Sequence, residues 1–276
     1  MSSPIDGGTV LITGASSGIG LAMAEQCAAR ARALVLVARR KDRLDLLAQA
    51  LRENNPKLEV HTFACDLSKR DATEAFIADV SGQALEIDVL VNNAGLGDMG
   101  VFENSKLEKQ LFLVDVNVSA LIMLTHAFLP GMVARGRGAI LMVSSGFGLS
   151  YLPGFATYIG TKHFVTGFTE SLHTELAGSG VHVGQLCPGP VATEFEEVMG
   201  NKTGMKVPGF AELTAKACAA EGIRVIDSRR ALIVPHVLFH IILWLAARTP
   251  RWLTRFLMRL LGKRMRAAQL AKEPAV

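Results

Sequence analysis

Short runs of apolar residues alternate along the chain with longer segments in which apolar residues recur every three or four positions. Some of the short runs, such as 33–38, are apolar throughout, a pattern typical of strands buried on both faces of a sheet. The longer segments have the period of amphipathic helices. The predicted strands lie at 9–13, 33–38, 58–63, 87–91, 139–144, 181–187 and 231–235. The predicted helices lie at 18–31, 42–54, 69–82, 107–135, 156–178 and 211–227, with two more after Pro235.

This alternation predicts right-handed crossovers and one parallel sheet that is covered by helices on both faces. Seven strands fit a single doubly wound α/β sheet. We expect one domain over residues 1–235, which includes an irregular segment at 189–209 that is rich in Gly and Pro. A helical extension is expected over 236–276.

The composition excludes several classes of protein. Of 276 residues, 50% are apolar, 20% are charged and 26 are glycine, which excludes a disordered chain or a collagen-like fibre. The four cysteines form no CxxC pair, so the sequence predicts neither a metal site nor a disulfide framework. We expect reduced thiols and a cytoplasmic location. The first ten residues contain no base, so no signal peptide is predicted, and neither 138–161 nor 231–247 has the pattern of a membrane span.

A glycine-rich segment, TGASSGIG at 13–20, joins the first predicted strand to the first helix. Glycines in this context let backbone N–H groups approach a pyrophosphate, and the helix N-terminus adds partial positive charge. The second strand ends at Arg39 and Arg40, with no carboxylate to bind a ribose 2′-hydroxyl. Guanidinium groups match a phosphate dianion, so the sequence predicts NADP (NADPH) in preference to NAD. Arg39 is the preferred 2′-phosphate ligand, and the alternative is that both arginines are solvated at a helix start.

A tyrosine and a lysine lie four residues apart in the predicted helix at 156–178. Tyr158 and Lys162 therefore share one helix face. A cation beside a phenol stabilises the phenolate and lowers the phenol pKa, which makes Tyr158 a candidate acid/base.

Together these motifs resemble the short-chain dehydrogenase/reductase family over residues 8–235. The resemblance rests on residues 13–20, Asp66-Leu67, NNAG at 92–95, Asn117, Ser145, Tyr158 and Lys162 as YxxxK, Pro188-Gly189 and Thr193. It implies a Rossmann fold and an NADP(H)-dependent oxidoreductase that transfers a hydride between nicotinamide and a carbonyl/alcohol pair.

The resemblance also implies a role for each matching residue. Tyr158 would exchange the proton with the substrate oxygen, and Ser145, in preference to Ser144, would hydrogen-bond that oxygen. Lys162 would hold the nicotinamide ribose, and Asn117 would orient a water that feeds it protons. The implied cofactor-binding residues are Gly14, Ser16, Ser17, Gly18, Ile19, Gly20, Arg39, Arg40, Asp66, Leu67, Asn93, Ala94, Gly95, Tyr158, Lys162, Pro188, Gly189, Val191 and Thr193.

Several of these residues have a purely structural alternative. Asn117 would be a packing amide, Asp66 a turn former at a strand end, and Thr193 a helix cap paired with Glu196. His163 adjoins Lys162 but lies on a different face from Tyr158, so we interpret it as a packing residue.

The substrate side is expected to be apolar. The family builds specificity from the segment after Pro188-Gly189 and from residues that follow the catalytic serine. Here these predict substrate contacts by Ser145, Gly146, Leu152 and Phe155, and a hydrophobic carbonyl or alcohol as substrate. The alternative is that the Phe and Leu side chains are ordinary core.

The end of the chain is basic. From Arg229 onward the sequence has ten Lys or Arg and one acid, Glu273. Residues 248–266 predict a basic amphipathic helix, whose apolar stripe consists of Leu253, Phe256, Leu257, Leu260 and Leu261. It would pack on the body or on another subunit, or lie on an anionic membrane surface. Nucleic acid is disfavoured because the chain has no nucleic-acid-binding fold and no spaced stacking aromatics.

Assembly and function leave alternatives open at this stage. The predicted helices at 107–135 and 156–178 are apolar on more than one face, which predicts a homodimer or homotetramer. Besides the oxidoreductase, the sequence admits a non-catalytic NADP-binding regulator. It also admits a membrane-surface reductase of lipid ketones, for which the basic tail is the only support.

Overall fold

The computed structural model describes residues 2–200 and 212–271, and in them seven parallel strands form one sheet in the order β3-β2-β1-β4-β5-β6-β9. This confirms the predicted doubly wound sheet. The strands are β1 (Thr9–Thr13), β2 (Ala33–Ala38), β3 (Glu59–Ala64), β4 (Val89–Asn92), β5 (Gly138–Val143), β6 (Val181–Leu186) and β9 (Leu232–Ile233), and a separate parallel pair is β7 (Val191–Ala192) with β8 (Leu213–Thr214). The last strand of the sheet is shorter than the run at 231–235 predicts.

Helices cover both faces of the sheet, as the alternating pattern predicts. They are α1 (Gly18–Cys27), α2 (Lys41–Asn54), α3 (Arg70–Gly82), α4 (Leu107–Val114), α5 (Ala120–Ala134), α6 (Ala156–Glu175), α7 (Phe195–Met199), α8 (Ala215–Ser228), α9 (Val237–Arg248) and α10 (Arg251–Leu270). Successive strand residues point to opposite faces. Val10 and Ile12 of β1 therefore pack with α1, α2 and α8, whereas Leu11 packs with α3, α5 and α6.

The predicted helix at 107–135 is two helices joined by a π-helical turn over Asp115–Ser119. From Leu107 to Ala134 the combined helix is long and apolar enough to cross a membrane, which is weak evidence because core helices pass the same test. Here Leu113, Leu124 and Met132 are buried in the protein.

The C-terminal extension contains two helices in the described residues, as the sequence pattern predicts after Pro235, but the second begins later than the predicted start at 248. α9 ends at Arg248, and α10 begins after Pro250. Proline has no N–H to donate and disfavours helical geometry in the residue before it, so the chain breaks here. α10 packs on the body through Leu261 and Met265, and the buried Gln269 accepts a hydrogen bond from the Val101 N–H at 2.8 Å.

Candidate active site

A cleft of about 720 Å³ lies at the carboxyl ends of β1, β4 and β5. The strand order reverses between β1 and β4, and a doubly wound sheet binds its ligands at such a switch point. All of the predicted site residues except Gly20, Asn117 and Gly146 line this cleft. Residues 201–209 of the predicted substrate segment lie outside the described residues.

The turn after β1 has the backbone that a pyrophosphate site requires. Gly14 and Gly18 have φ angles of +68° and +57°, which favour glycine. A Cβ on Gly20 would lie 2.4 Å from the Gly14 carbonyl oxygen, so only glycine fits where α1 crosses the turn. The Ser17 side chain does not cap α1, so the first-turn N–H groups remain free to receive an anion. These residues fit a dinucleotide phosphate group.

Hydrogen bonds tie the turn after β1 to the end of β4. The Thr13 hydroxyl oxygen accepts from the N–H groups of Asn93 and Ala94 at 3.0 and 2.9 Å. The Asn93 side-chain amide donates to the Thr13 carbonyl at 2.8 Å. The NNAG segment therefore holds the shape of the cleft floor, and Asn93 has a structural task besides lining the cleft.

The two arginines after β2 have different partners. Arg40 donates to the Ser16 and Ser17 hydroxyl oxygens and to Glu194 Oε2, the last at 2.8 Å. Arg43 pairs with the same Glu194 carboxylate, and these two guanidinium groups lower the Glu194 pKa. Arg39 is exposed and lies 5.7 Å from the centroid of the Phe112 ring. Of Arg39 and Arg40, Arg39 is therefore the one whose charge no carboxylate of the described residues neutralises.

Two other predicted cofactor residues also make local structural contacts. Asp66 accepts from the Ser68 hydroxyl and N–H at 2.8 and 3.1 Å, so it forms a turn after β3 while lining the cleft. The Thr193 hydroxyl oxygen accepts from the Phe195 N–H at 3.3 Å at the start of α7. The structural alternative is therefore realised for Asp66, whereas Thr193 precedes Glu194, the N-cap of α7, and does not form the predicted capping pair with Glu196.

The two serines after β5 have different surroundings. The Ser144 hydroxyl lies 2.9 Å from the Thr166 hydroxyl and donates to the Lys162 carbonyl at 3.3 Å, so α6 engages it. Ser145 Oγ accepts from the Phe147 N–H at 3.1 Å, and the Ser145 hydroxyl acts to lower the pKa of the nearby Tyr158 phenol. Ser145 is thus the serine that shares the tyrosine's environment.

The predicted acid/base pair is buried on α6. Burial raises the pKa of Tyr158 to about 12, against the opposing effect of the Ser145 hydrogen bond. Burial also lowers the pKa of Lys162 to about 8. The expectation that Lys162 lowers the tyrosine pKa is not met here. The Lys162 Nζ lies 5.8 Å from the Tyr158 ring centroid and donates to the Val143 carbonyl at 2.9 Å, so loss of solvation dominates.

Asn117 lies in the π-helical turn, behind the cleft wall. Its side-chain amide donates to the Leu96 carbonyl and the Thr161 hydroxyl, at 2.9 and 3.0 Å. Its oxygen accepts from the Leu96 N–H at 2.9 Å. The residue therefore joins the segment after β4 to α6. The water-orienting role stays a prediction.

Aromatic rings surround the Tyr158 phenol. The ring centroids of Phe147, Phe155 and Phe195 lie 6.3, 6.4 and 5.7 Å from that of Tyr158. Phe195 falls within the predicted substrate segment 189–209, but no local pattern in the sequence distinguishes it from the rest of that segment. His163, interpreted as a packing residue, is exposed, with its Nδ1 3.0 Å from the Ile159 carbonyl oxygen.

Phe239 of α9 also lines the cleft, and the sequence reasoning missed it. A Cβ on Gly146 would lie 2.1 Å from the Phe239 ring, and one on Gly189 would lie 3.2 Å away. The Phe239 ring therefore covers both glycines. Gly146 was predicted to contact the substrate, but Phe239 lines the cleft in its place. A phenylalanine in an apolar helix beyond the last strand carries no local signal of this position.

The comparison with protein families agrees with the geometry. The family model described as short chain dehydrogenase matches residues 8–204. The chain belongs to the short-chain dehydrogenase/reductase family. It is therefore an oxidoreductase that uses a nicotinamide dinucleotide and acts on hydroxyl or keto groups of small molecules.

Curated relatives of this short-chain dehydrogenase/reductase have several substrates. It is 30% identical over 251 residues to a very-long-chain 3-oxoacyl-CoA reductase of Macaca fascicularis, covering 88% of this chain and 76% of that protein. The human protein of that name is 34% identical, and the match spans 61% of its length and 68% of this chain. The NADP-dependent 3-hydroxy acid dehydrogenase YdfG of Salmonella typhi is 38% identical over 68% of this chain and 75% of its own.

Two of the similar solved structures contain a bound dinucleotide. A short-chain dehydrogenase from Sphingobium yanoikuyae in complex with NADPH is 34% identical, with a TM-score of 0.76 over 83% of this chain and 88% of that one. A relative from Burkholderia phymatum in complex with NAD is 27% identical, with a TM-score of 0.76 over 88% and 93% of the chains. Relatives of similar likeness thus bind either dinucleotide.

Proposed function

We propose that this enzyme reduces hydrophobic ketones with NADPH and oxidises the corresponding alcohols in reverse. The observation that carries the proposal is the position of Tyr158, which lies with Ser145 at an apolar wall of a cleft that Arg39 lines as well. The Tyr158 phenol can donate a proton to the substrate, and the aromatic wall can contact an apolar substrate. The Arg39 guanidinium can bind a 2′-phosphate.

NADPH, when bound, supplies the hydride to the carbonyl carbon. The Tyr158 phenol donates its proton to the carbonyl oxygen, and a pKa near 12 keeps that phenol protonated at neutral pH. The Ser145 hydroxyl donates a hydrogen bond to the same oxygen as negative charge develops there. Lys162, which also lines the cleft, would hold the ribose hydroxyls of the bound dinucleotide through its ammonium group.

The proposed cofactor preference rests on charge. Arg39 lacks a carboxylate partner in the part of the chain that is described, whereas Arg40 and Arg43 share the single carboxylate of Glu194. A 2′-phosphate at Arg39 would gain a charge-assisted hydrogen bond that NAD has no group to make. The Sphingobium complex with NADPH is a precedent within the family.

The proposed substrate is apolar near its carbonyl group. Phe147, Leu152 and Phe155 line this end of the cleft, together with Phe195 and Phe239. The relatives named for 3-oxoacyl-CoA and 3-hydroxy acids act on carbonyl/alcohol pairs, and a substrate panel for this enzyme should begin with ketones of increasing chain length and bulk.

Replacing the proton donor tests the proposal. Tyr158→Phe should lose about 10²–10⁴-fold in kcat on the best ketone of the panel and keep its NADPH affinity, since only the proton donor is removed. Tyr151→Phe is the matched control, because Tyr151 is the chain's other tyrosine and is 40% exposed. NADPH consumption measures kcat, and calorimetry measures affinity. Near-full activity of Tyr158→Phe would contradict the mechanism.

The same panel distinguishes the enzyme from a non-catalytic regulator. A regulator would bind NADPH and consume none with any ketone, whether or not Tyr158 is present. Turnover that depends on Tyr158 excludes that function.

We also infer a homodimer or homotetramer. Ile122 of α5 and Phe164 of α6 are each 39% exposed, and Phe164 stacks on Phe168. These apolar surfaces suit a two-fold interface between copies of the two long helices. Sedimentation velocity at micromolar concentration should show an oligomer, and a monomer would contradict the inference.

A further inference from the structure

The outward surfaces of α9 and α10 are unusually apolar. On α9, one side is held by the protein through Phe239 and the buried Leu243. On α10, Met265 and Gln269 are buried. The opposite sides carry large apolar side chains that are 42–75% exposed. We call this set the outer face: Val237, Leu238, Ile241, Ile242, Trp244, Leu245, Trp252, Phe256, Leu257 and Leu260.

The outer face contains most of the apolar stripe that the sequence predicts for the tail helix. An amphipathic helix on a globular protein normally turns such a stripe to the core. Here Leu261, at one edge of the stripe, packs on the body beside Gly262 and Met265, while Phe256, Leu257 and Leu260 stay exposed. These three side chains are therefore left for something outside the chain, since exposed apolar patches of this kind mark interaction sites.

Basic side chains flank the outer face. Arg251, Arg255, Arg259, Lys263 and Arg264 are exposed, and no carboxylate of the described residues pairs with them. Arg266 pairs with Glu103 and Arg248 stacks on Trp244 at 3.7 Å, so these two have partners within the chain. An apolar face flanked by unpaired positive charge is complementary to a partner that has an apolar interior and anionic groups at its boundary.

Both tryptophans of the chain, Trp244 and Trp252, belong to the outer face. Tryptophan is enriched where a protein meets the headgroup region of a bilayer, because its ring is apolar and its N–H is polar. α9 has twelve residues, about 18 Å at the usual rise, and cannot cross a hydrocarbon core of about 30 Å. The length of α9 therefore suits a helix that lies along the membrane surface and does not cross it.

We propose that the outer face of α9 and α10 docks on an anionic lipid surface. A second copy of the chain fits this face less well. A two-fold interface places the same patch on both subunits, which would set one row of unpaired arginines against another. Anionic lipid headgroups supply the missing negative charge, and the acyl region takes up the apolar side chains.

The proposal connects the membrane surface to the cleft through one helix. Phe239 lines the cleft on the inner side of α9, while Ile241 and Ile242 are exposed. Docking would therefore place the cleft wall within about one helix diameter, roughly 10–12 Å, of the lipid.

Vesicle binding by the full chain tests the proposal. We expect co-sedimentation with vesicles of phosphatidylcholine and phosphatidylglycerol, weakened by salt, and little with phosphatidylcholine alone. Tryptophan emission should shift to the blue on binding, since Trp244 and Trp252 are the only tryptophans and both lie on the outer face. The readout is independent of catalysis.

Two variants of the outer face and its basic flank, each with a matched control elsewhere on the protein, test whether this face is the one that binds the vesicle. Phe256→Ser should weaken binding about tenfold or more, whereas Leu46→Ser, which changes a side chain that is 67% exposed on α2, should not. Arg255→Gln with Arg259→Gln should weaken it about twenty-five-fold, since each basic residue near an anionic surface contributes about fivefold. Lys57→Gln with Arg70→Gln controls for net charge.

Several results would overturn the proposal. These are equal binding to both kinds of vesicle, no binding to either, or no change with Phe256→Ser and the arginine pair. A lower molecular mass of Phe256→Ser in sedimentation velocity, without vesicle binding by the parent protein, would assign the outer face to a second copy.

Discussion

The two ends of the cleft are built in different ways. The dinucleotide end consists of backbone turns at the ends of adjacent strands, held by hydrogen bonds such as those between Thr13 and Asn93. The substrate end consists of side chains from distant parts of the chain, including Phe155, Phe195 and Phe239. A backbone turn leaves a contiguous motif in the sequence, whereas a wall of separate side chains leaves none.

The difference also predicts how each end responds to change. A Cβ at Gly20 would meet the Gly14 carbonyl, so the dinucleotide end tolerates little substitution. Side chains at the substrate end contact one another through ring edges and faces, and such a wall can be reshaped one residue at a time. Substitutions there should change specificity more readily than they abolish the reaction.

The two ends meet at the serines after β5, where the largest effect is expected. Ser145→Ala should lower kcat about 10²–10³-fold, because it removes a hydrogen bond to the developing oxyanion. Ser144→Ala is the matched control. It removes contacts with Thr166 and the Lys162 carbonyl, and should lower thermal stability with little loss of kcat. If the two serines exchange these phenotypes, the assignment of Ser145 is wrong.

Changing the end of β2 should reverse the cofactor preference. Ala38→Asp with Arg39→Ser replaces a phosphate ligand by a carboxylate that accepts from the ribose hydroxyl and repels the 2′-phosphate. Hydrogen bonds to charged groups contribute about 1.5–3 kcal/mol, so we expect a shift of about 10²-fold from NADP towards NAD. Calorimetric titration of both cofactors measures it. Tighter binding of NAD by the unmodified enzyme would contradict the preference.

The two directions of the reaction should differ in pH dependence. Burial raises the pKa of Tyr158 to about 12, so the phenol stays protonated and reduction should change little between pH 6 and 8. Oxidation needs the phenolate, whose fraction grows tenfold per pH unit below the pKa of the phenol. The rate of oxidation should therefore rise by up to tenfold per pH unit. Burial lowers the pKa of Lys162 to about 8, so reduction should decline above that pH. Rate profiles in both directions check this, and oxidation that stays flat would contradict it.

Substitution of the α9 phenylalanine should alter specificity without abolishing the reaction. Phe239→Ala opens space beside Gly146 and Gly189, and should raise kcat/KM for bulky ketones relative to small ones by about tenfold. Phe102→Ala is the control, since Phe102 is 61% exposed and does not line the cleft. Competition between two ketones measures the ratio, and an unchanged ratio would show that α9 does not bound the substrate space.

Local pattern was enough for much of the fold. The strands at 9–13 and 33–38 were predicted to the residue, because each consists of apolar residues and β-branched threonines and is followed by a Gly or a charged residue. The π-helical turn at Asp115–Ser119 was not predicted, since its apolar period matches that of the flanking helices. Two helices were predicted after Pro235, but the second was predicted to begin at 248, before the break whose local signal is Pro250.

The sequence by itself determined the parallel sheet, the glycine turn, the arginines after β2 and the spacing of Tyr158 and Lys162, because each follows from residues that are neighbours along the chain. Tertiary structure alone decided three other features. It brought Phe239 over Gly146, gave Arg40 and Arg43 a carboxylate partner in Glu194, and turned most of the apolar stripe of α10 away from the body. These depend on how elements far apart in sequence pack, and on how much solvent each side chain loses. The raised pKa of Tyr158 belongs with them, since desolvation is a property of the assembled fold.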